Sequence, residues 1–460
     1  MRPKIALLVM ILTAGLAGCR AATVTPSPLP SASSTPPPTP TASPSPTPPL
    51  SFSRPLVLAA TEAGVWLLDP ERGEPQQVFD QPPLQPERLG QAVSANGRYA
   101  AFLVQPQAGA VPELVILGLP HGNLTARIPL ARVDDRSDAQ LGRLLVDSQA
   151  LLWSPDGAWL GFAAALDGET LDIYAWTPGG GEAVQLSDQP GDELPLAWSL
   201  DSRWLVAANP ASDSGYALAV NPATLARRAL GEEDAHPAGV LGWLDEDVML
   251  AYDISAACGA ARLRSIALES GRETLQADHC FDSGAFAPGD RAVLLAVSAE
   301  SLADCTCGER EVEAGVWMIK NGLGLDELVS AGDVRDASWR QDAGIFTVER
   351  EGSYAGFTLD GAPVTLPPDL NTILPVASPA SGWFAWAGAD DPIGLWVGSP
   401  THAIFQADPS PAGNPAWSPD GKLLVYSSGS RLMGAEAPDF TPSLMWDAGA
   451  VVLSLIWIWA

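Results

Sequence analysis

From Arg54 onward the chain alternates short apolar runs with turn residues and shows no sustained 3.6-residue period, which predicts strands and not helices. One unit recurs along it. The clearest copies are Trp153-Ser154-Pro155-Asp156-Gly157-Ala158-Trp159-Leu160-Gly161-Phe162 and Trp417-Ser418-Pro419-Asp420-Gly421-Lys422-Leu423-Leu424-Val425-Tyr426. Weaker copies start at Val93 and Trp198, and degenerate ones at Trp243, Phe286, Trp339 and Ala377. Successive copies are 60, 45, 45, 43, 53, 38 and 40 residues apart, the spacing of a four-stranded propeller blade.

The unit has a direct physical reading. A short strand ends at the aromatic, Ser-Pro-Asp-Gly turns, and an apolar strand such as Leu160 to Ala164 follows. Pro presets φ at the second turn position, Asp bonds its own backbone, and Gly supplies a positive φ. A third strand, Leu171 to Trp176, and a fourth, Ala183 to Leu186, complete the copy. At regular blade spacing the repeated Trp reads as a wedge between neighbouring blades. The body begins mid-pattern, with Leu56-Val57-Leu58-Ala59, Gly64 to Asp69 and Gln76 to Phe79 in the places of second, third and fourth strands. Leu453 to Trp459 can supply the missing first strand and close the ring. The expected fold is all-β, a single β-propeller over residues 54–460. Eight internal copies and one split blade make nine by literal count; because degenerate copies can share a blade, about eight four-stranded blades are expected, within a range of seven to nine.

These repeats resemble those of the TolB-type propellers, a branch of the WD-repeat-like families found in bacterial envelope proteins. The resemblance spans residues 55–430, with two undegraded Trp-Ser-Pro-Asp-Gly copies. It implies a fold and action through partners, and no functional residue is carried over from it, since propellers host many functions.

The amino terminus predicts an address. Arg2 and Lys4 precede an apolar stretch from Ile5 to Ala17 that ends in Leu16-Ala17-Gly18-Cys19. The stretch is too short to span a membrane and reads as a signal peptide over residues 1–18. The tetrapeptide resembles a bacterial lipobox, which makes Cys19 the lipidated first residue of the mature chain. Residues 19–53 form the expected tether. Eleven of the 25 residues from Pro26 to Leu50 are Pro, a composition that favours extended polyproline II and reaches up to roughly 80 Å. The expected location is the cell membrane or outer membrane, lipid-anchored and facing the extracytoplasmic side.

Composition narrows the function classes. The 460 residues carry 25 Lys and Arg against 54 Asp and Glu, a formal net charge of −29. That sign repels phosphate backbones, so nucleic acid is not an expected partner. There is no Gly-x-Ser-x-Gly elbow and no Asp-x-Asp-x-Asp-Gly calcium loop. The histidines, His121, His236, His279 and His402, lie in different repeats without close ligand spacing. No cofactor, metal or catalytic residue is therefore expected, although scattered carboxylates can pair across a central channel as acid and base.

Two polar features remain. Cys258, Cys280, Cys305 and Cys307 fall in loops that a propeller opens on one face. An exported, even-numbered set reads first as two disulfides. Cys305 and Cys307 are too close for an easy bridge to each other, so each is expected to reach Cys258 or Cys280. A four-thiolate zinc site, three thiolates with His279, and free thiols are the alternatives. The inter-blade loops are also acidic, with Asp134, Asp135 and Asp138 in one, Asp188, Asp192 and Glu193 in the next, Glu232, Glu233 and Asp234 in a third, and Asp333 and Asp336 in a later one. Such a face suits a divalent cation or a basic partner surface; a plainly solvated face is the alternative. The expected function is a monomeric, membrane-tethered scaffold for an envelope protein partner. A channel that binds a small solute, a peptide or a glycan is the second reading, and an extracellular hydrolase or lyase the third.

Overall fold

The computed structural model describes residues 54–107, 110–131, 151–209, 216–230, 237, 239–255, 259–288, 291–303, 312–320, 326–340, 344–350, 353–364, 376–388, 393–399 and 402–459. The described strands form nine antiparallel sheets, the nine blades of one propeller. This is the upper end of the expected range: each degenerate repeat heads a sheet of its own.

Blade 1 joins the two ends of the ring. Leu56–Thr61, Gly64–Asp69 and Glu74–Phe79 supply its second to fourth strands, and Val452–Ile458 its first. Val57 pairs with Trp457 and Leu58 with Ile456. Blade 2 has three strands, Tyr99–Val104, Glu113–Gly118 and Asn123–Pro129. Its first strand is reduced to the bridge between Val93 and Ala100, preceded by a helical turn, Leu89–Ala92, whose Leu89 and Ala92 are buried against blade 1. Blade 3 comprises Leu151–Trp153, Leu160–Ala164, Asp172–Trp176 and Val184–Gln185; blade 4 comprises Leu194–Trp198, Leu205–Ala208, Ala217–Val220 and Arg227–Leu230. Blade 5, spanning 239–275, gains a fifth strand, Cys280–Phe281, against Ala260 and Ala261. Blades 6, 7, 8 and 9 span 283–331, 335–364, 376–408 and 413–447.

Second and third strands are almost wholly buried, as in Leu160–Ala164 and Asp172–Trp176, whereas fourth strands such as Glu74–Phe79 and Arg272–Leu275 are exposed. Blades therefore pack face to face, and apolar clusters bridge them. Phe162 and Ile173 of blade 3, for example, share a core with Ile116 of blade 2 and Leu205 of blade 4. The repeated tryptophans tie successive blades as well as fill space. The indole Nε1 of Trp153 donates to the Ala92 carbonyl (2.8 Å), that of Trp198 to Leu152 (2.9 Å), and that of Trp417 to Val376 (2.9 Å). Each acceptor directly precedes the equivalent position of the preceding blade.

The turns after Trp153, Trp198 and Trp417 close through their serines, a role that the repeat pattern alone does not assign. Ser154 Oγ donates to Asp156 Oδ1 (2.6 Å) and accepts the Trp159 N–H (2.9 Å), while Asp156 Oδ1 accepts the Ala158 N–H (2.9 Å). Ser418 and Asp420 repeat the arrangement in blade 9. Gly157 and Gly421 take the expected positive φ, +66° and +68°. Adjacent turns also touch: the Asp156 N–H donates to Ser202 Oγ of the next blade (3.0 Å).

Candidate functional site

The Ser-Asp-Gly turns occupy one rim of the ring, and the inter-blade loops, with the loops between second and third strands, occupy the other. Of the residues expected on that second rim, Cys258, Cys305, Cys307, Asp134, Asp135, Asp138, Glu232, Glu233 and Asp234 lie outside the described residues, as does Cys19 near the amino terminus. Cys280 is fully buried in the fifth strand of blade 5. Asp188 is exposed and pairs with Arg227 at 2.7 Å. Asp333 is exposed and accepts the Ala299 N–H (2.8 Å) at the start of the short helix Ala299–Ala303, and Asp336 is exposed with φ +44°.

Asp192 and Glu193 depart from the acidic-face expectation. Asp192 Oδ1 is turned onto the Leu171 N–H (2.9 Å), and Glu193 has no exposed surface. The cause is local. The Glu193 N–H donates to the Leu171 carbonyl (2.8 Å), so the loop entering blade 4 runs beside the start of Asp172–Trp176. Neighbouring residues of an extended chain point opposite ways, and Glu193 points in.

There it meets a second buried acid, Asp172, which is 5% exposed. The Gln185 amide donates to Asp172 Oδ2 (3.0 Å), and the Tyr174 hydroxyl donates to Asp167 (3.1 Å). Asp172 Oδ1, both carboxylate oxygens of Glu193 and the Tyr216 hydroxyl are buried without a hydrogen-bond partner. Burial raises the pKa of Glu193; the Ser187 and Tyr216 hydroxyls beside it counter this in part, although neither completes a well-formed hydrogen bond. Burial likewise raises the pKa of Asp172, against the Gln185 bond that lowers it. Chemically, this corner between blades 3 and 4 is a buried cluster of oxygen atoms that favours a protonated carboxyl.

His279 is also buried and is fully engaged. Its Nδ1 lies 2.9 Å from the Cys280 carbonyl, its Nε2 is bonded to the Asp326 carboxyl, and its ring packs against Trp317. A carbonyl only accepts, so Nδ1 carries hydrogen and the His279–Asp326 pair shares one further proton. With both ring nitrogens committed, His279 does not serve as the zinc ligand considered from sequence.

A cavity of about 370 Å³ opens between the first strands of blades 5 and 6, lined by Val240, Leu241, Tyr252, Phe281, Asp282, Ser283 and Gly284. Its polar side chains are occupied. Asp282 accepts the Ser298 N–H (2.6 Å) and hydroxyl (2.8 Å), and Ser283 Oγ accepts the Ala337 N–H (3.0 Å).

No protein-family model matches the chain, and no curated protein matches it. Solved structures are similar in fold. They include the eukaryotic initiation factor (14% identity, 89% of this chain and 98% of that chain, TM-score 0.54) and the C-terminal WD40 domain of Sif2 (13%, 74% and 91%, TM-score 0.42). TolB from Acinetobacter baumannii is another (11%, 78% and 82%, TM-score 0.29). At 14% identity the first of these likenesses is one of fold alone.

Proposed function

We propose that the chain is a lipid-anchored, extracytoplasmic β-propeller that acts as a protein-interaction scaffold in the cell envelope. The observation that carries this reading is the closed ring. Nine blades tied by strand pairing and by indole bonds form a rigid platform, and its inter-blade loops present Asp188 and Asp333 to solvent. Leu16-Ala17-Gly18-Cys19 and the Pro-rich residues 26–50 supply the anchor and the reach. The partner surface that suits this rim is basic. Cys280 pairs in this reading with Cys305 or Cys307, and Cys258 with the other.

The test is site-specific photocrosslinking in the source cells, with the crosslinker at Asp188 or Asp333 on one rim and at Lys422 on the other. One discrete protein adduct from Asp188 and Asp333, absent from Lys422, is expected. Adducts from neither rim, or equally from both, overturn the reading. A second reading, small-ligand binding, is favoured by the cavity at Tyr252 and Ser283, whose volume suits a small molecule. It requires a saturable rise in melting temperature with such a ligand.

A further inference from the structure

We propose that the cavity between blades 5 and 6 binds a small organic cation, an amine or guanidinium group carried on an apolar body. This rests on the small-ligand reading of that cavity and is independent of the scaffold reading. The lining is chemically divided. Val240 and Leu241 are aliphatic, Tyr252 and Phe281 are aromatic, and Asp282 supplies a carboxylate. Among the described residues that line the space none is basic, so Asp282 sets its sign.

Each wall has a local cause. Tyr252 stands opposite Gly239 in the strand pairing, and a Cβ on Gly239 would lie 2.3 Å from the Tyr252 hydroxyl. Tyr252 therefore folds across a strand position that has no side chain. Phe281 arrives on the added strand of blade 5, Cys280–Phe281, through its pairing with Ala260 and Ala261. The two ring centroids are 5.7 Å apart at an interplanar angle of 74°, which makes an aromatic corner. A cation within about 6 Å of an aromatic centroid is attracted to the ring face.

Asp282 follows Phe281 directly and is exposed. The bonds that occupy it also fix it, since the Ser298 N–H (2.6 Å) and hydroxyl (2.8 Å) hold the carboxylate in one orientation. An ionised carboxylate has about four acceptor positions, so capacity for a ligand N–H remains. Protein cations do not compete for it. Arg262, Arg264 and Arg291 of these two blades are paired with Asp278, Asp253 and Asp245. One carboxylate beside aromatic carbon is a poor ligand set for a metal ion, which takes several oxygen or nitrogen atoms. It suits an ammonium or guanidinium group, whose apolar body the walls of Val240 and Leu241 can cover. The formal net charge of −29 draws such a ligand in and holds anions off.

The experiment titrates the full chain in a calorimeter with three probes of matched size: phenethylamine, 2-phenylethanol and phenylacetate. Saturable binding of the amine is expected, at least about tenfold tighter than the alcohol, with phenylacetate the weakest. Added sodium chloride should weaken the amine and leave the alcohol unchanged. Asp282→Asn should remove the advantage of the amine over the alcohol. Should that variant fail to fold, the salt dependence of the native chain gives the decision. Equal affinity for amine and alcohol, or an amine affinity indifferent to salt, overturns the proposal and leaves the small-ligand reading standing. Binding of none of the three overturns both.

Discussion

The indole Nε1 of Trp457 donates to the carbonyl oxygen of Ala416 at 3.1 Å. Trp457 sits in the strand that completes blade 1, and Ala416 in the first strand of blade 9. The ring is thus closed twice, by the pairing of Val452–Ile458 with Leu56–Thr61 and by an indole bond across the final blade junction.

Trp457→Phe keeps most of the apolar ring and removes the donor, so the Ala416 carbonyl loses its bond across the blade junction. It should lower stability by about 1–2 kcal/mol, and Trp457→Ala by about 3–5 kcal/mol. Urea unfolding of both variants measures this. A Phe variant with the midpoint of the native protein would show that the bond contributes nothing to closure.

Deleting residues 452–460 strips the partner from Leu56–Thr61, whose residues Val57, Leu58, Ala59 and Ala60 are fully buried in the intact ring. An apolar strand left open pairs with other chains. Sedimentation analysis should show concentration-dependent association of the deleted chain. A stable monomer would mean that the ring holds without its closing strand.

One turn position gives opposite outcomes in two blades. A Cβ on Gly157, at φ +66°, would stand 2.6 Å from the Asn96 amide nitrogen of the neighbouring blade. Gly157→Ala should therefore cost more than about 1 kcal/mol. Ser202 holds the equivalent place at φ +60° and accepts the Asp156 N–H. Ser202→Gly relieves the strain and loses that bond, so it should fall within about 0.5 kcal/mol of the native protein. Equal losses in the two variants would contradict this account.

Glu193 gives the stability a definite pH dependence. Burial raises its folded pKa above the unfolded value, so the folded chain holds a proton that the unfolded chain has released. Stability therefore falls as pH climbs from the ordinary glutamate range to the raised value, by about 1.4 kcal/mol per pH unit across that interval. Glu193→Gln should be more stable than the native protein at pH 8 and close to it at pH 4. Urea midpoints across that range decide it, and parallel profiles for the two proteins would rule out a raised pKa at Glu193.

The repeat was legible because its turn is local. Ser, Asp and Gly within one five-residue window set the hydrogen bonds and the positive φ, so Trp153 and Trp417 announce their blades in sequence alone. The split blade was legible for a related reason: three strands lacking a first and one terminal strand lacking neighbours complete each other. Blade number stayed a range of seven to nine, which includes the nine found, because the copies at Trp243, Phe286, Trp339 and Ala377 keep the strand positions while departing from the full turn motif. Glu193 was misread for a different cause. In a chain with 54 acids a loop glutamate reads as solvent-facing, and its burial depends on Leu171, Ser187 and Tyr216, none of them its sequence neighbour. A faint signal was present, since Glu193 directly precedes the half-buried strand Leu194–Trp198.

The pairing of Leu58 with Ile456 also sets an order of events. Blades 2 to 9 are each built from consecutive strands, so they can form one after another as the chain emerges. Blade 1 waits, because its innermost strand, Val452–Ile458, follows the strands of every other blade. Contacts of such long sequence separation form slowly. Every chain in which Val452–Ile458 has yet to be made therefore carries an incomplete first blade, and the time spent in that state scales with the length of chain still to come. Ring closure is timed by the arrival of Val452–Ile458, and a chaperone that shields Leu56–Thr61 during that interval would raise the yield of closed rings without altering their final stability.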